Sequence, residues 1–238
     1  MNAPQLKIPP IDRPQRTFKL RRRGIGDTRV DSYQRLSAIY GVSVEGDQLN
    51  LGSLFIRPDP GVVLDIGFGY GDALIELART RRDECVIAVE VHTPGVVKVL
   101  EEVELYQLDN VRVVEGDAME FLPRLPLASL HEVRVWFPDP WIKRRQHGRR
   151  IISASFVQQM CTLLVDGGYL HLVTDIADYA RHMRSVCDAQ PSLAGGVVPR
   201  PDWRPVTGYE ARGQQAGRAA TDLIYRRVSR SVMATDVM

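Results

Sequence analysis

Four acids in this chain stand at or near the ends of apolar, strand-like runs. Asp65 lies in Val62–Ile66, Glu90 ends Val86–Glu90, Asp117 follows Val111–Val114, and Asp139 follows Glu132–Phe137. Glu90 comes nineteen residues after Gly71, where a carboxylate can take both hydroxyls of a ribose. Asp117 is placed to receive an adenine amino group. Asp139 sits between Pro138 and Pro140. Proline fixes φ, lacks an N–H and drives its predecessor out of the helical region, so Asp139 is expected on a stiff, extended turn. Trp141 stands beside it, and Lys143, Arg144, Arg145, Arg149 and Arg150 follow within eight residues. A fixed acid, a flat ring and a cationic tail suit a nucleobase carried on a phosphate backbone. Plainer readings compete: Asp117 as a helix N-cap, Glu90 as a solvated strand end, and the basic run as a solvated loop.

Between the first strand and the next helix lie Gly67, Gly69 and Gly71. They let the backbone bend sharply and approach a ligand closely at the carboxyl end of a strand. The spacing is G-x-G-x-G, not the G-x-G-x-x-G of dinucleotide sites. Asp65 and Asp72 would also repel a pyrophosphate. An acidic, glycine-lined crevice with a ribose acid and an adenine acid fits an adenosine that carries positive charge near Asp65. S-adenosyl-L-methionine, with its sulfonium and ammonium, fits better than NAD.

The elements that must position these residues follow an alternating pattern from residue 61. Strands at Val62–Ile66, Val86–Glu90, Val111–Val114, Glu132–Phe137 and Tyr169–Thr174 alternate with helices at Ala73–Arg79, Pro94–Leu105, Ala118–Leu122, Ile152–Leu164 and Ala177–Cys187. Such alternation implies a doubly wound α/β fold with a mostly parallel sheet. Gly167-Gly168 reads as a helix stop before the fifth strand. Two further strands, near Gly196–Val198 and Asp222–Val228, allow an antiparallel pair, with a polar loop containing Thr207-Gly208-Tyr209-Glu210 between them. Residues 31–40 suit a short helix. One domain is expected over residues 31–230, with a basic arm over 1–30, rich in Pro and Arg, and a tail over 231–238.

A chain of 238 residues, 44% hydrophobic and 25% charged, is long enough for a sizeable core. No apolar run approaches a membrane span and no hydrophobic leader opens the sequence, so a cytoplasmic protein is expected. Cys85, Cys161 and Cys187 are odd in number and far apart. They read as reduced core filler, with no zinc site and no disulfide framework. The net charge of +2 hides an asymmetry: eight Lys/Arg against two Asp in residues 1–30, and eleven Asp/Glu against three Lys/Arg in residues 83–132. Basic arms around an acidic body are a footprint for nucleic acid. Nothing calls for a metal.

Taken together, Asp65-Ile-Gly-Phe-Gly-Tyr-Gly71, Glu90-Val-His-Thr-Pro-Gly95, Phe137-Pro-Asp-Pro-Trp-Ile-Lys143 with Arg149-Arg150, Thr174-Asp175, Thr207-Gly-Tyr-Glu210 and Asp222-Leu-Ile-Tyr225 resemble the bacterial tRNA (guanine-N7-)-methyltransferases. The likeness runs from about Arg16 to Arg227. It implies a seven-stranded class I methyltransferase that uses S-adenosylmethionine to methylate a guanosine in the tRNA variable loop, acting as a monomer or weak homodimer. By position it implies that Asp65, Glu90, Asp117 and Asp139 bind cofactor, that Asp139 is also catalytic, and that Lys143, Asp175 and residues 207–210 bind substrate. Two positions depart from the family pattern: Asp65, where Glu is usual, and Gly208, where Lys is common.

Guanine N7 carries an in-plane lone pair and no proton, so a methyl transfer to it needs no general base. Catalysis should rest on positioning and on carboxylates that favour a cationic product. Guanine's Watson–Crick edge offers N1–H and N2–H₂ to a carboxylate, which leaves N7 exposed. Asp139, Asp175 and Glu210 are candidates for that grip, with Asp139 nearest the reacting groups. Trp141 would stack on the ring or wall the pocket. Lys143, Arg144, Arg145, Arg149 and Arg150 are read as phosphate contacts, helped by Arg21–Arg23, whereas His92 and His147 read as polar loop residues. The competing readings are a methyltransferase for another RNA, a small molecule or a protein, a nicotinamide oxidoreductase, and a non-catalytic RNA-binding module.

Overall fold

A computed structural model describes residues 17–18, 26, 29–56 and 61–228. The Arg21–Arg23 arm and the tail over 231–238 lie outside the described residues. Helices α1 (Val30–Tyr40) and α2 (Leu51–Phe55) precede the alternating body. Then follow β1 (Val62–Ile66), α3 (Asp72–Thr80), β2 (Cys85–Glu90), α4 (Thr93–Leu105), β3 (Val111–Glu115), α5 (Ala118–Phe121) and β4 (Leu130–Trp136). The chain continues through α6 (Ala154–Leu163), β5 (Leu164–Thr174), α7 (Ala177–Asp188), β6 (Leu193–Val198), α8 (Gly208–Gln215) and β7 (Thr221–Arg227).

All seven strands form one sheet in the order β3-β2-β1-β4-β5-β7-β6. The first five are parallel and β7 runs antiparallel to both neighbours, as the alternating pattern predicted. Successive side chains on a strand point to opposite faces, and each face has its own apolar layer. Leu74, Val96 and Leu100 of α3 and α4 join Leu36 of α1 over Val63, Val86 and Val113. On the other face Phe121, Phe156, Met160 and Met183 cover Leu64, Ile87 and Leu172. All three cysteines are buried as thiols, as core filler should be.

One stretch of the sheet is not apolar. Asp65, Arg134 and His171 are register partners across β1, β4 and β5, and all three are buried. Arg134 donates to Glu132 from Nε at 2.7 Å and Nη2 at 2.8 Å, and to Glu84 from Nη2 at 3.0 Å. His171 Nε2 lies 2.8 Å from Asp222 Oδ1. Buried charges survive when paired and hydrogen-bonded, and this row ties the central strands to β7.

The structure also corrects the local reading. Gly167-Gly168 lies inside β5, where Gly167 takes φ 81° and the β4–β5 register shifts, so it marks a strand irregularity and not a helix stop. The sixth helix starts at Ala154, capped by Ser153, whose Oγ accepts from Phe156 N at 3.3 Å. The segment expected as a polar loop contains α8, and α2 was not anticipated at all.

Candidate active site

The site grows from the turn after β1. Gly67, Gly69 and Gly71 hold φ of 80°, 62° and 79°, a region where only glycine is free of strain. A Cβ on Gly71 would stand 2.0 Å from Val99 Cγ2, so the turn and α4 pack backbone to side chain. Gly95 seals the other side, since a Cβ there would fall 1.9 Å from Gly69 O. Gly67 faces open space instead, and its missing side chain leaves room for a ligand.

Glu90 clamps this turn. Its Oε2 accepts from Gly69 N at 2.8 Å, and its Oε1 accepts from Val91 N at 2.7 Å and His92 N at 2.9 Å. Glu90 is therefore no solvated strand end. Charge-assisted bonds to backbone donors are the stronger kind, and these fix the loop's shape while leaving a lone pair on Oε2 directed to other uses. Asp117 also has two faces: its Oδ1 accepts from Met119 N at 2.9 Å as the N-cap of α5, and the residue lines the cleft.

Glu90, Asp117 and Asp139 line one cavity of about 190 Å³ with Gly67, Gly69 and Phe137. Asp65 does not join them. It lines a smaller cavity of about 80 Å³ with Trp136, Thr207, Gly208 and Arg212. The two cavities share Gly67, Tyr70, Phe137 and Tyr209 as walls. Burial pushes the Asp65 carboxyl up to about 7; Arg134 pulls it back, while Glu132 and Glu90 push it further. Burial disfavours the charged form of an acid, so a cation brought against Asp65 would favour its carboxylate.

The proline-flanked loop is braced from below. Phe137 and Trp141 adopt φ of 53° and 44°, unusual for bulky residues and costly unless the surroundings hold them. Trp141 is 4% exposed; its Nε1 donates to Thr17 O at 2.9 Å, and the Arg149 guanidinium lies 4.3 Å over its ring. It is a buried peg, which removes the stacking role for Trp141 in this structure. Arg150 is equally occupied: Nε donates to Pro140 O at 3.0 Å, Nη2 to Asp178 Oδ2 at 2.7 Å, and its plane lies 4.6 Å from the Tyr179 ring centre. Arg150 thus leaves the set of expected phosphate contacts, because a buried guanidinium tying the proline-flanked loop to α7 cannot also face a backbone in solvent. Lys143, Arg144 and Arg145 stay exposed and Arg149 is half-buried. His147 Nε2 packs 3.3 Å from Ile142 O, as a loop residue would, whereas His92 lines the main cleft beside Tyr70.

The C-terminal motif changes meaning most. Thr207 caps α8, its Oγ1 accepting from Glu210 N at 3.1 Å. Glu210 is 2% exposed and both its oxygens accept from Arg204, at 2.6 Å and 3.0 Å. Arg204 also pairs with Asp222 at 2.7 Å. Glu210 therefore anchors α8 to the sheet, and the expectation that it grips guanine fails on the engagement of both oxygens. Asp175 accepts from Arg218 Nε at 2.8 Å and is not part of the lining of either cavity. Tyr209 lies over the glycine turn, where a Cβ at Gly69 would come 3.4 Å from its ring. The sequence reading missed Arg204, Arg212 and Tyr70; Thr207-x-x-Glu210 is a capping-box pattern that would have revealed the helix. Among the described residues no group of three His, Cys, Asp or Glu could hold a metal ion, and no helix is long and apolar enough to cross a membrane.

Comparison with known proteins matches residues 59–223 to a family described as "Putative methyltransferase". A tRNA (guanine-N(7)-)-methyltransferase of Nitrosospira multiformis is 39% identical over 219 residues, covering 90% of this chain and 95% of that protein. One of Streptomyces avermitilis is 40% identical over 224 residues, covering 92% of this chain and 77% of that protein. Among solved structures, a 30S ribosomal methyltransferase from an uncultured bacterium superposes with a TM-score of 0.53 at 13% identity, covering 77% of this chain and 95% of the other. That likeness is one of fold.

Proposed function

Because the chain belongs to the tRNA (guanine-N7-)-methyltransferase family, we propose that it methylates N7 of a guanosine in the variable loop of tRNA, with S-adenosylmethionine as donor. The observation that carries the cofactor assignment is the convergence of Glu90, Asp117 and Asp139, from the ends of β2, β3 and β4, on one glycine-floored cavity. The residues fit the group. Glu90 Oε2 has capacity for a ribose hydroxyl, Asp117 faces the same space for an adenine amino group, and Gly67 leaves the room a side chain would fill. S-adenosylmethionine, when bound, supplies a methyl group activated by a sulfonium.

Everything else falls to the chain. Guanine N7 needs no deprotonation, so Asp139 acts by charge and position, favouring the purine as it becomes cationic. Phe137 and Tyr209 form walls of the cleft. Lys143, Arg144 and Arg145 begin four residues after Asp139 and stand exposed, which favours a phosphate-bearing substrate over a small molecule. Thr207 and Gly208 would meet substrate at the edge of the smaller cavity, and Asp175 would need to release Arg218 to do so. Incubation of the protein with labelled S-adenosylmethionine and bulk tRNA, followed by nucleoside analysis, is expected to give labelled 7-methylguanosine. Label in another nucleoside, or none in RNA, would refute the proposal.

A further inference from the structure

The main cavity has a ring in its wall that comes from outside the sheet and its helices. Thr17 and Phe18, which precede α1, line it together with Asp139. Their position has a definite anchor, since Trp141 Nε1 donates to Thr17 O at 2.9 Å. Trp141 follows Asp139 by two residues, is buried, and lies under the Arg149 guanidinium. The backbone beside Phe18 is therefore tied to a fixed point of the proline-flanked loop, at the end of the cavity where Asp139 stands. The other rings of this wall are committed elsewhere. Tyr70 stands edge-on to His92 at 5.5 Å, Tyr209 carries Arg212 at 4.7 Å, and Phe137 packs against the Leu77, Trp136 and Val173 cluster. Phe18 is half-buried, and no ring or guanidinium among the described residues stacks on it. Arg16 and Lys19 flank Thr17-Phe18 in the sequence, a setting that suits a base with phosphates on both sides.

We propose that Phe18 is the surface on which the reacting guanine stacks, the role that the burial of Trp141 leaves unfilled. This rests on the substrate reading above. Guanine N7 lies on the major-groove edge, which in an RNA helix is too deep and narrow for side chains to enter. The base must therefore leave its own stack, and a ring offered by the protein replaces part of the contact it gives up. A ring on the face of the base and a carboxylate at its edge do not compete. Stacking uses the π surface, Asp139 acts in the plane, and the N7 lone pair stays free to meet the methyl carbon. Because Trp141 already holds the backbone at Thr17, less of the ordering cost falls on the moment of binding.

The test joins steady-state methylation of bulk tRNA to calorimetry with S-adenosylhomocysteine, the donor without its methyl group. Phe18→Ala is expected to lower kcat/KM for tRNA roughly 10- to 100-fold, as the loss of one stacked base implies. Phe18→Tyr keeps the π face and should return kcat/KM to within about 3-fold of the unmodified protein, whereas Phe18→Leu, apolar but without a π face, should stay near Phe18→Ala. S-adenosylhomocysteine affinity should hold within about 2-fold in all three variants. Wild-type turnover in Phe18→Leu would reduce the ring to an apolar wall, and a parallel loss of S-adenosylhomocysteine affinity would make it a cover for the donor; either result overturns the inference. If the unmodified protein methylates no guanosine, the substrate reading itself fails. If it does and Phe18→Ala matches it, only the stacking role fails.

Discussion

Replacing Glu210 separates an anchoring role from a substrate-gripping one. Glu210 is 2% exposed and Arg204 is fully buried, with two hydrogen bonds between them. Glu210→Gln keeps the shape and removes one of the two carboxylates that neutralise the guanidinium. Breaking a buried pair from one side costs about 3–5 kcal/mol. Asp222 still holds Arg204 at 2.7 Å, so the lower end applies, about 3 kcal/mol. A chain of this size shifts its Tm by roughly 2–4 °C per kcal/mol, which gives a drop of roughly 6–12 °C in a calorimetric melt. Tyr209→Ala on the same helix serves as control. Its ring is partly exposed over Gly69, so its loss should weaken ligands with little change in Tm. An unshifted melt for Glu210→Gln, accompanied by a tenfold rise in the KM for tRNA, would restore the substrate role and refute the anchoring one.

Three further outcomes follow from the same geometry. Neutralising Lys143, Arg144 and Arg145 together should lower the salt slope of tRNA binding by roughly 2–3 units with the Tm unchanged, whereas Arg150→Ala should lower the Tm first, because it unties Pro140 from Asp178; filter binding across a salt series and a melt distinguish them. Gly95→Ala places a Cβ 1.9 Å from Gly69 O, so the glycine turn must shift, and S-adenosylhomocysteine affinity should fall at least tenfold by roughly the strain of one displaced turn; native affinity would show that the turn is softer than its packing suggests. Asp65 has its pKa raised from 3.8 to about 7 by burial, so the folded state holds the proton more tightly than the unfolded one. The stability this adds is complete below about pH 4 and is lost as pH rises through 7, on the order of 4 kcal/mol; ligand-free urea melts of Asp65→Asn should lack that slope, and an unchanged slope would assign it to other groups.

What the sequence made legible was whatever depends on local pattern. Val62–Ile66 was read with the bounds it has, because five successive buried residues leave no polar face to confuse the pattern. The glycine turn and the proline-flanked acid were equally plain, since each encodes its backbone geometry in residue type. The helix α8 escaped because its buried residues are only Glu210 and Gly213, so it shows no apolar period, and only its capping pair betrays it. The fate of Glu210 was out of reach for a different reason. It depends on Arg204, six residues earlier on the loop that leads into α8, and on Asp222 of β7. Likewise the buried row of Asp65, Arg134 and His171 exists only once three strands are in register. At Glu210 and Arg150 the motif said nothing of what each side chain touches, Arg204 in one case and Pro140 with Asp178 in the other.

The two halves of the site are built to different standards of rigidity, and that difference follows from where their carboxylates spend their hydrogen bonds. On the donor side Glu90 holds three backbone amides, Asp117 caps α5, and Gly95 abuts the turn. The conformational cost of shaping that pocket is met by folding itself, so a small ligand need not supply it on arrival. On the proposed RNA side Lys143, Arg144 and Arg145 project from a short turn backed by the buried Trp141 and Arg150. Long cationic side chains on a braced loop can follow a phosphate backbone whose exact path the protein does not prescribe, while Asp139, fixed between two prolines, would hold the position proposed for it beside the reacting groups. A rigid donor pocket beside an adaptable cationic rim is the division of labour expected of an enzyme that must place one methyl group with precision on a large, irregular substrate.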